Sequence, residues 1–170
     1  MTEFLLIASI HLVAVISPGP DFAVVLRQSL SSSRRASIFT AFGIAISEFF
    51  HCLYSIFGME LIMRYQENIF LVLKPVAILY LMYLGISSFF TNLPSETVSQ
   101  SRSKNFTLGF MTNLLNFQAS TFTVTLFFAI VSIDTTLNVL IFYAVFIAIS
   151  TFMWFAFLSL LLTSKGFLYK

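Results

Sequence analysis

The stretch Ser17-Pro18-Gly19-Pro20-Asp21 constrains this chain more than any other. It cuts the first apolar run, Phe4 to Ile16, which at helical rise covers only about 20 Å against a bilayer core of about 30 Å. Apolar sequence resumes at Phe22 and continues to Leu26, so any membrane crossing must contain the break. Pro18 and Pro20 remove two backbone donors, Gly19 loosens the turn between them, and Asp21 places a carboxylate beside it. Irregular backbone and charge persist at membrane depth only where protein or a wet cavity covers them. Two readings fit: a broken helix that helps build a substrate site, or a simple proline kink with Asp21 at the headgroups.

Composition sets the broad class. The chain is 58% hydrophobic and 9% charged, with a mean hydropathy of +0.94, whereas soluble domains carry about 25% charged residues. These values predict an all-α, polytopic transmembrane helix bundle, with residues 1–170 forming a single integral membrane domain. Cys52 is the lone cysteine, inside an apolar run, so neither a disulfide framework nor a metal pattern is expected. A net charge of +2 is too small to suggest nucleic acid. Glu3 in place of a basic leader and the lack of a small-residue cleavage pattern argue that the first segment is retained. No polar soluble domain is expected at either end.

Hydropathy places five spans at roughly 4–26, 37–59, 69–91, 106–132 and 138–163. Links one and three and the tail hold seven basic residues, Arg27, Arg34, Arg35, Arg102, Lys104, Lys165 and Lys170, against Arg64 and Lys74 on the other side. By the positive-inside rule the C-terminus faces the cytoplasm and the N-terminus lies outside.

The second span repeats Gly43, Ser47, His51, Ser55 and Gly58 at three- or four-residue steps, which puts them on one helix face with Glu48 at its border. Small residues at this spacing permit close helix contact in lipid. Counting rise from Ala36 places Glu48 about 18 Å into the membrane, near the midplane, and His51 lies one turn on, within reach to share a proton or a hydrogen bond. A carboxylate there is either a proton-coupling or amine-binding group, or a neutral acid bonded within the bundle. In the third span Lys74 reads as a snorkelling cation, and Tyr80 and Tyr83 read as packing residues. The fourth span is rich in amides. Asn113 and Asn116, three residues apart, are candidates either for cargo binding or for bonds between helices. The fifth span, Phe- and Ile-rich with Trp154, reads as a lipid-facing or packing helix, and the 22 phenylalanines read as apolar filler. No nucleophile stands with a convincing base, and no glycine-rich phosphate loop is present. Neither an enzyme nor an ATP-driven pump is therefore expected.

Four motifs together resemble the LysE/RhtB-type amino-acid exporters. They are Pro18-Gly19-Pro20-Asp21, Gly43 with His51, Tyr80-Leu-Met-Tyr-Leu-Gly85, and Gly109-Phe-Met-Thr-Asn-Leu-Leu-Asn116. The resemblance covers about residues 4–132 by motif and reaches about 163 by hydropathy. It implies a multi-pass exporter of amino acids or close derivatives in the bacterial inner membrane, driven by proton exchange. Six spans built as two inverted three-helix repeats are implied as well, with spans one and four as counterparts interrupted near the site. The sequence departs from that pattern in several places. Phe117-Gln118 follows Asn116 where the family has Pro-Lys, so the fourth span lacks a proline break. Ser47-Glu48 replaces Gly-Asp, and Ser33 replaces a glycine before Arg34. The sequence also stops at Lys170, short of a sixth span.

The expected function is secondary export. Pro18, Gly19, Pro20, Asp21, Gly43, Ser47, Glu48, His51, Asn113 and Asn116 form the expected substrate and coupling set. The alternative is an incomplete, non-transporting subunit or regulator of a full-length relative. The expected partners are a small amino-acid cargo and the lipid bilayer, with a homo-oligomer open. No cofactor or metal is expected.

Overall fold

A computed structural model describes residues 2–65, 79, 101–132 and 134–163. Those residues form six helices: α1 (Thr2–Ile16), α2 (Pro20–Ser31), α3 (Arg34–Tyr65), α4 (Arg102–Leu114), α5 (Phe117–Ile130) and α6 (Leu137–Leu162). The predicted third span, with Lys74, Tyr80, Tyr83 and Gly85, lies outside the described residues.

Local chemistry sets the helix limits. Ser17 precedes Pro18, and a residue before proline is pushed out of helical backbone, so α1 stops at Ile16. Pro20 opens α2, where its missing N–H costs nothing, and Asp21 in the first turn complements the helix dipole. The two helices meet at 52°. Gly19 is extended, with φ −148° and ψ −172°, and a Cβ built there meets no atom within 4 Å. The turn therefore comes from the prolines, and glycine's special freedom is not required there.

The fourth span is also broken, although it has no proline. α4 ends at Leu114, and Asn116 takes up extended backbone at φ −75° and ψ 96°. The Asn116 side-chain oxygen then accepts from the backbone N–H groups of Gln118 and Ala119 at 3.1 and 3.3 Å. This is an asparagine N-cap. The interruption of span four that the resemblance implies is therefore present, made by an asparagine in place of a proline. By length and composition α3 and α6 can each cross a membrane, and α1 with α2 makes a third, bent crossing.

α1–α2 and α6 run from one end of the bundle to the other, and α3 and α4–α5 run the opposite way. At one end lie Arg27, Arg34, Arg35, Arg102 and Lys104, with Arg34 Nε donating to Thr163 Oγ1 at 3.0 Å. At the other, the Glu3 carboxylate accepts from the Ser132 backbone N–H at 2.9 Å and from the Thr135 and Tyr143 hydroxyls at 3.1 and 3.4 Å. Two apolar clusters follow the same axis. Ile7, Ile56, Leu126, Phe127 and Ile147 pack toward the Glu3 end. Val25, Ala41, Ile44, Phe155 and Leu158 pack toward the arginine end. Between them, Glu48 lies on α3 and Thr151 on α6, so polar groups occupy the middle layer.

The glycine requirement falls at a crossing. α3 packs heavily on α4. A Cβ on Gly43 would run into the Phe106 carbonyl and the Phe110 nitrogen, and one on Gly109 into the Thr40 carbonyl. These are backbone atoms, so the two helices touch main chain to main chain, as small residues allow in lipid. Hydroxyls join helices nearer the arginine end. Ser37 Oγ lies 2.6 Å from Ser29 Oγ and 2.5 Å from Ser159 Oγ, which ties α2, α3 and α6. The exterior is apolar, with Met153 62%, Phe57 58% and Ile149 57% exposed. An outer surface of this kind suits lipid and would be costly in water.

Candidate functional site

The two breaks deliver their side chains to one place. Asp21, in the first turn of α2, accepts at Oδ2 from Asn113 Nδ2 at 3.0 Å and from Asn116 Nδ2 at 3.3 Å. The same Asn113 nitrogen donates to Glu48 Oε2 at 3.3 Å. One amide NH2 thus bridges two carboxylates from two different helices, using both of its protons. Glu48 Oε1 accepts from Thr123 Oγ1 at 2.6 Å. His51 Nδ1 stands 3.7 Å from Glu48 Oε2, within ion-pair reach but beyond hydrogen-bond length. Among the described residues this is the one ion pair, and no lysine or arginine reaches either carboxylate.

Unused hydrogen-bonding capacity is concentrated here. Asp21 Oδ1 and Asn113 Oδ1 are buried and have no protein partner, and neither do Ser47 Oγ and His51 Nδ1. A buried acceptor left unpaired costs about 1–3 kcal/mol, and more when charged. A site that retains two of them on neighbouring, hydrogen-bonded residues is suited to an incoming donor.

A cavity of about 310 Å³ opens beside these groups. Of the residues expected to form the site, Pro18, Gly19, Pro20, Asp21, Glu48, Asn113 and Asn116 line it. The others stand behind it. Gly43 is at the α3–α4 crossing. Ser47 is fully buried. His51 is buried against Tyr54, ring centroids 5.4 Å apart. The small-residue face of α3 stays buried through Ser55, whose hydroxyl donates to the His51 carbonyl at 2.6 Å, and it opens out at Gly58.

Several residues that pattern reading passed over belong to the site. His11 on α1 and Thr151 on α6 line the cavity and bond to each other, Nε2 to Oγ1, at 3.2 Å. Thr123 anchors Glu48. Phe22, Phe122 and Phe155 form apolar wall, so these three phenylalanines are more than filler, and α6 is more than a packing helix. His11 had a signal in the sequence: it is an ionisable residue within the apolar run 4–16. Thr151 had none, since a lone threonine in an apolar helix usually bonds to its own backbone. Among the described residues no three His, Cys, Asp or Glu side chains are grouped as a metal site.

Broken helices that meet at a half-open, acid-lined cavity in an apolar bundle define a polytopic membrane protein with a polar site among its helices. The profile of the LysE type translocator family matches residues 12–167, and the chain belongs to that family. It is 29% identical over 121 residues to the threonine efflux protein of Escherichia coli, a match covering 66% of this chain and 59% of that protein. It is 27% identical over 158 residues to the uncharacterized membrane protein YrhP of Bacillus subtilis, covering 85% of this chain and 75% of that one. The uncharacterized membrane protein YahN of Escherichia coli is 26% identical over 136 residues, covering 76% and 61%. The match thus spans about three fifths of the length of the threonine efflux protein. No solved structure matches the chain.

Proposed function

We propose that this chain acts in secondary export of amino acids across a bacterial inner membrane, with the N-terminus outside and protons moving the other way. One observation carries the reading: a single amide, Asn113, holds Asp21 and Glu48 together beside a half-open cavity in an apolar bundle. Family membership and the likeness to a threonine efflux protein support it.

The cavity has complementary places for a zwitterion. Asp21 Oδ1 and Asn113 Oδ1 are free to accept from a cargo ammonium. The first turn of α2 has no side-chain cap, so its N–H groups and dipole suit the cargo carboxylate. Glu48 carries the counter-moving proton. It faces His51 on its own helix, Asp21 of α2 through Asn113, and Thr123 of α5, and His11 of α1 lines the same cavity. Protonation of Glu48 removes one of two like charges that share a single donor. Cargo ammonium relieves the same repulsion, so proton and cargo compete for one site.

Export of labelled amino acids from proteoliposomes containing the full chain tests this. Asp21→Asn should lower export roughly 10- to 100-fold, the loss expected for one charge-assisted contact. Glu48→Gln should leave a rate that no longer responds to a pH gradient. If both variants export like the wild type, the site is misassigned.

A further inference from the structure

α3 and α4 carry matching stripes outside the cavity. Each begins with an arginine at the same end of the bundle and continues in phenylalanine. On α3 the stripe is Arg35, Phe39 and Phe42, with Phe50 two turns further on; on α4 it is Arg102, Phe106 and Phe110. Steps of three or four residues keep each set on one helix face. We infer that Arg35 and Arg102 form a site for the phosphate of an anionic phospholipid, in the leaflet at the arginine end, with an acyl chain lying along the phenylalanine seam between α3 and α4. The inference does not depend on the export reading.

The stripes meet rung by rung. The Arg102 guanidinium carbon lies 5.9 Å from the centroid of the Phe39 ring. Arg35 stands one turn before Phe39, on the same face of α3. Below them the Phe42 and Phe106 rings are 5.7 Å apart and the Phe50 and Phe110 rings 6.0 Å apart. Phe106 and Phe110 stack at 5.9 Å along α4. The backbone crossing at Gly43 and Gly109 draws the two stripes together. Phe42 and Phe50 remain 45% and 49% exposed, so these rings pave the surface of the seam.

Charge selects the headgroup. The links 27–36 and 91–105 hold five cations, Arg27, Arg34, Arg35, Arg102 and Lys104, and one acid, Glu96. Five against one leaves a surplus of four positive charges wherever Glu96 lies. The other acids belong elsewhere: Asp21 and Glu48 to the cavity, Glu3 to the opposite end, and Glu60 and Glu67 after the α3 span Arg34–Met59 in sequence. Arg102 rests on an aromatic face, which attracts a cation without neutralising it. Arg35 and Arg102 are both exposed, and Arg35 is in the first turn of the α3 span, at headgroup level. Two guanidinium groups brought to one ring repel each other, and a phosphate that accepts from both relieves the repulsion.

The seam selects a lipid over a free anion. From Phe39 to Phe50 the α3 stripe rises about 16 Å, close to the depth of one hydrocarbon leaflet at about 15 Å. A ligand with a hydrocarbon tail covers that length, and inorganic phosphate does not.

Lipid binding to the purified full chain tests the inference without any transport measurement. Native mass spectrometry from mild detergent counts retained lipid as phosphatidylglycerol or phosphatidylcholine of equal chain length is titrated in. Wild type should retain one phosphatidylglycerol per chain and prefer it about 25-fold, about fivefold for each arginine near the surface. Arg35→Gln and Arg102→Gln should each lower that preference about fivefold. Lys104→Gln, two residues from Arg102 and so off its stripe, should leave it nearly unchanged. Phe42→Ser should weaken both lipids alike and keep their ratio. If the glutamine variants do not accumulate, Arg35→Lys and Arg102→Lys carry the test: they keep the charge, lose the planar fork and should still lower the preference. Equal losses at Arg35, Arg102 and Lys104 would show a diffuse basic surface and overturn the inference. So would equal binding of the two lipids by wild type, or displacement of phosphatidylglycerol by inorganic phosphate at matching concentration. A chain that retains the lipid as expected and exports no amino acid would overturn the export reading and leave this one standing.

Discussion

Between α1 and α2 the chain spends two prolines and a glycine; between α4 and α5 it uses leucine and asparagine. The first break works by exclusion. Pro18 forces Ser17 out of the helix, and Pro20 restarts it at 52° with no side chain capping the new first turn. The second works by substitution. Asn116 supplies an acceptor in place of the missing turn and uses the Gln118 and Ala119 N–H groups in doing so. The two N-termini therefore offer a ligand different things. At α2 the backbone donors remain available beside the cavity, whereas at α5 the chain has consumed them itself and presents side-chain amides to Asp21 instead. The two breaks are chemically unequal, and Asp21 at the first is bonded by Asn113 and Asn116 at the second.

The largest test of this contrast removes the shared donor. Asn113→Leu strips one hydrogen bond from each of two carboxylates, and thermal unfolding in detergent should show a loss of roughly 3 kcal/mol, two charge-assisted bonds at about 1.5 each. Wild-type stability in that variant would mean that the breaks are not coupled through this amide. Next comes the cap. Asn116→Ala should cost about 1 kcal/mol, while Asn116→Ser keeps a capping oxygen, restores most of that stability and still lacks the amide for Asp21. Serine and alanine variants of equal stability would show that Asn116 does not stop the helix by capping. The smallest effect belongs to the break that looks most constrained. Gly19 is extended with open space around its Cα, so Gly19→Ala should change stability by less than about 0.5 kcal/mol. The same change at Gly43 or Gly109, where backbone blocks a Cβ, should cost far more. A large loss at Gly19 would show that this turn does depend on glycine.

The sequence was most legible where one residue type forces one backbone outcome. Proline removes a donor and fixes φ whatever surrounds it, so the first break and its carboxylate could be placed from Pro18 to Asp21 alone. Glu48 was legible for a related reason: a charge in a long apolar run has few innocent explanations. The second break was implied by the family resemblance and was not legible from its own residues, because asparagine caps, hydrogen-bonds across helices or simply faces a cavity according to what lies near it. The α3 face beginning at Gly43 reads as small residues that allow close helix contact, and at Gly43 the contact is there. Its period, however, does not say which partner it meets, and the partner at Gly43 is the backbone of α4.

The sequence by itself determined that the chain is a membrane helix bundle, where its first helix must fail, and that acids would have to be accommodated at depth. These follow from transfer costs and backbone sterics, which act residue by residue. Only the tertiary structure decided that one asparagine would join acids 27 residues apart in sequence, and that His11 and Thr151 would meet across 140. Such pairings depend on how whole helices cross, and no local pattern records a crossing.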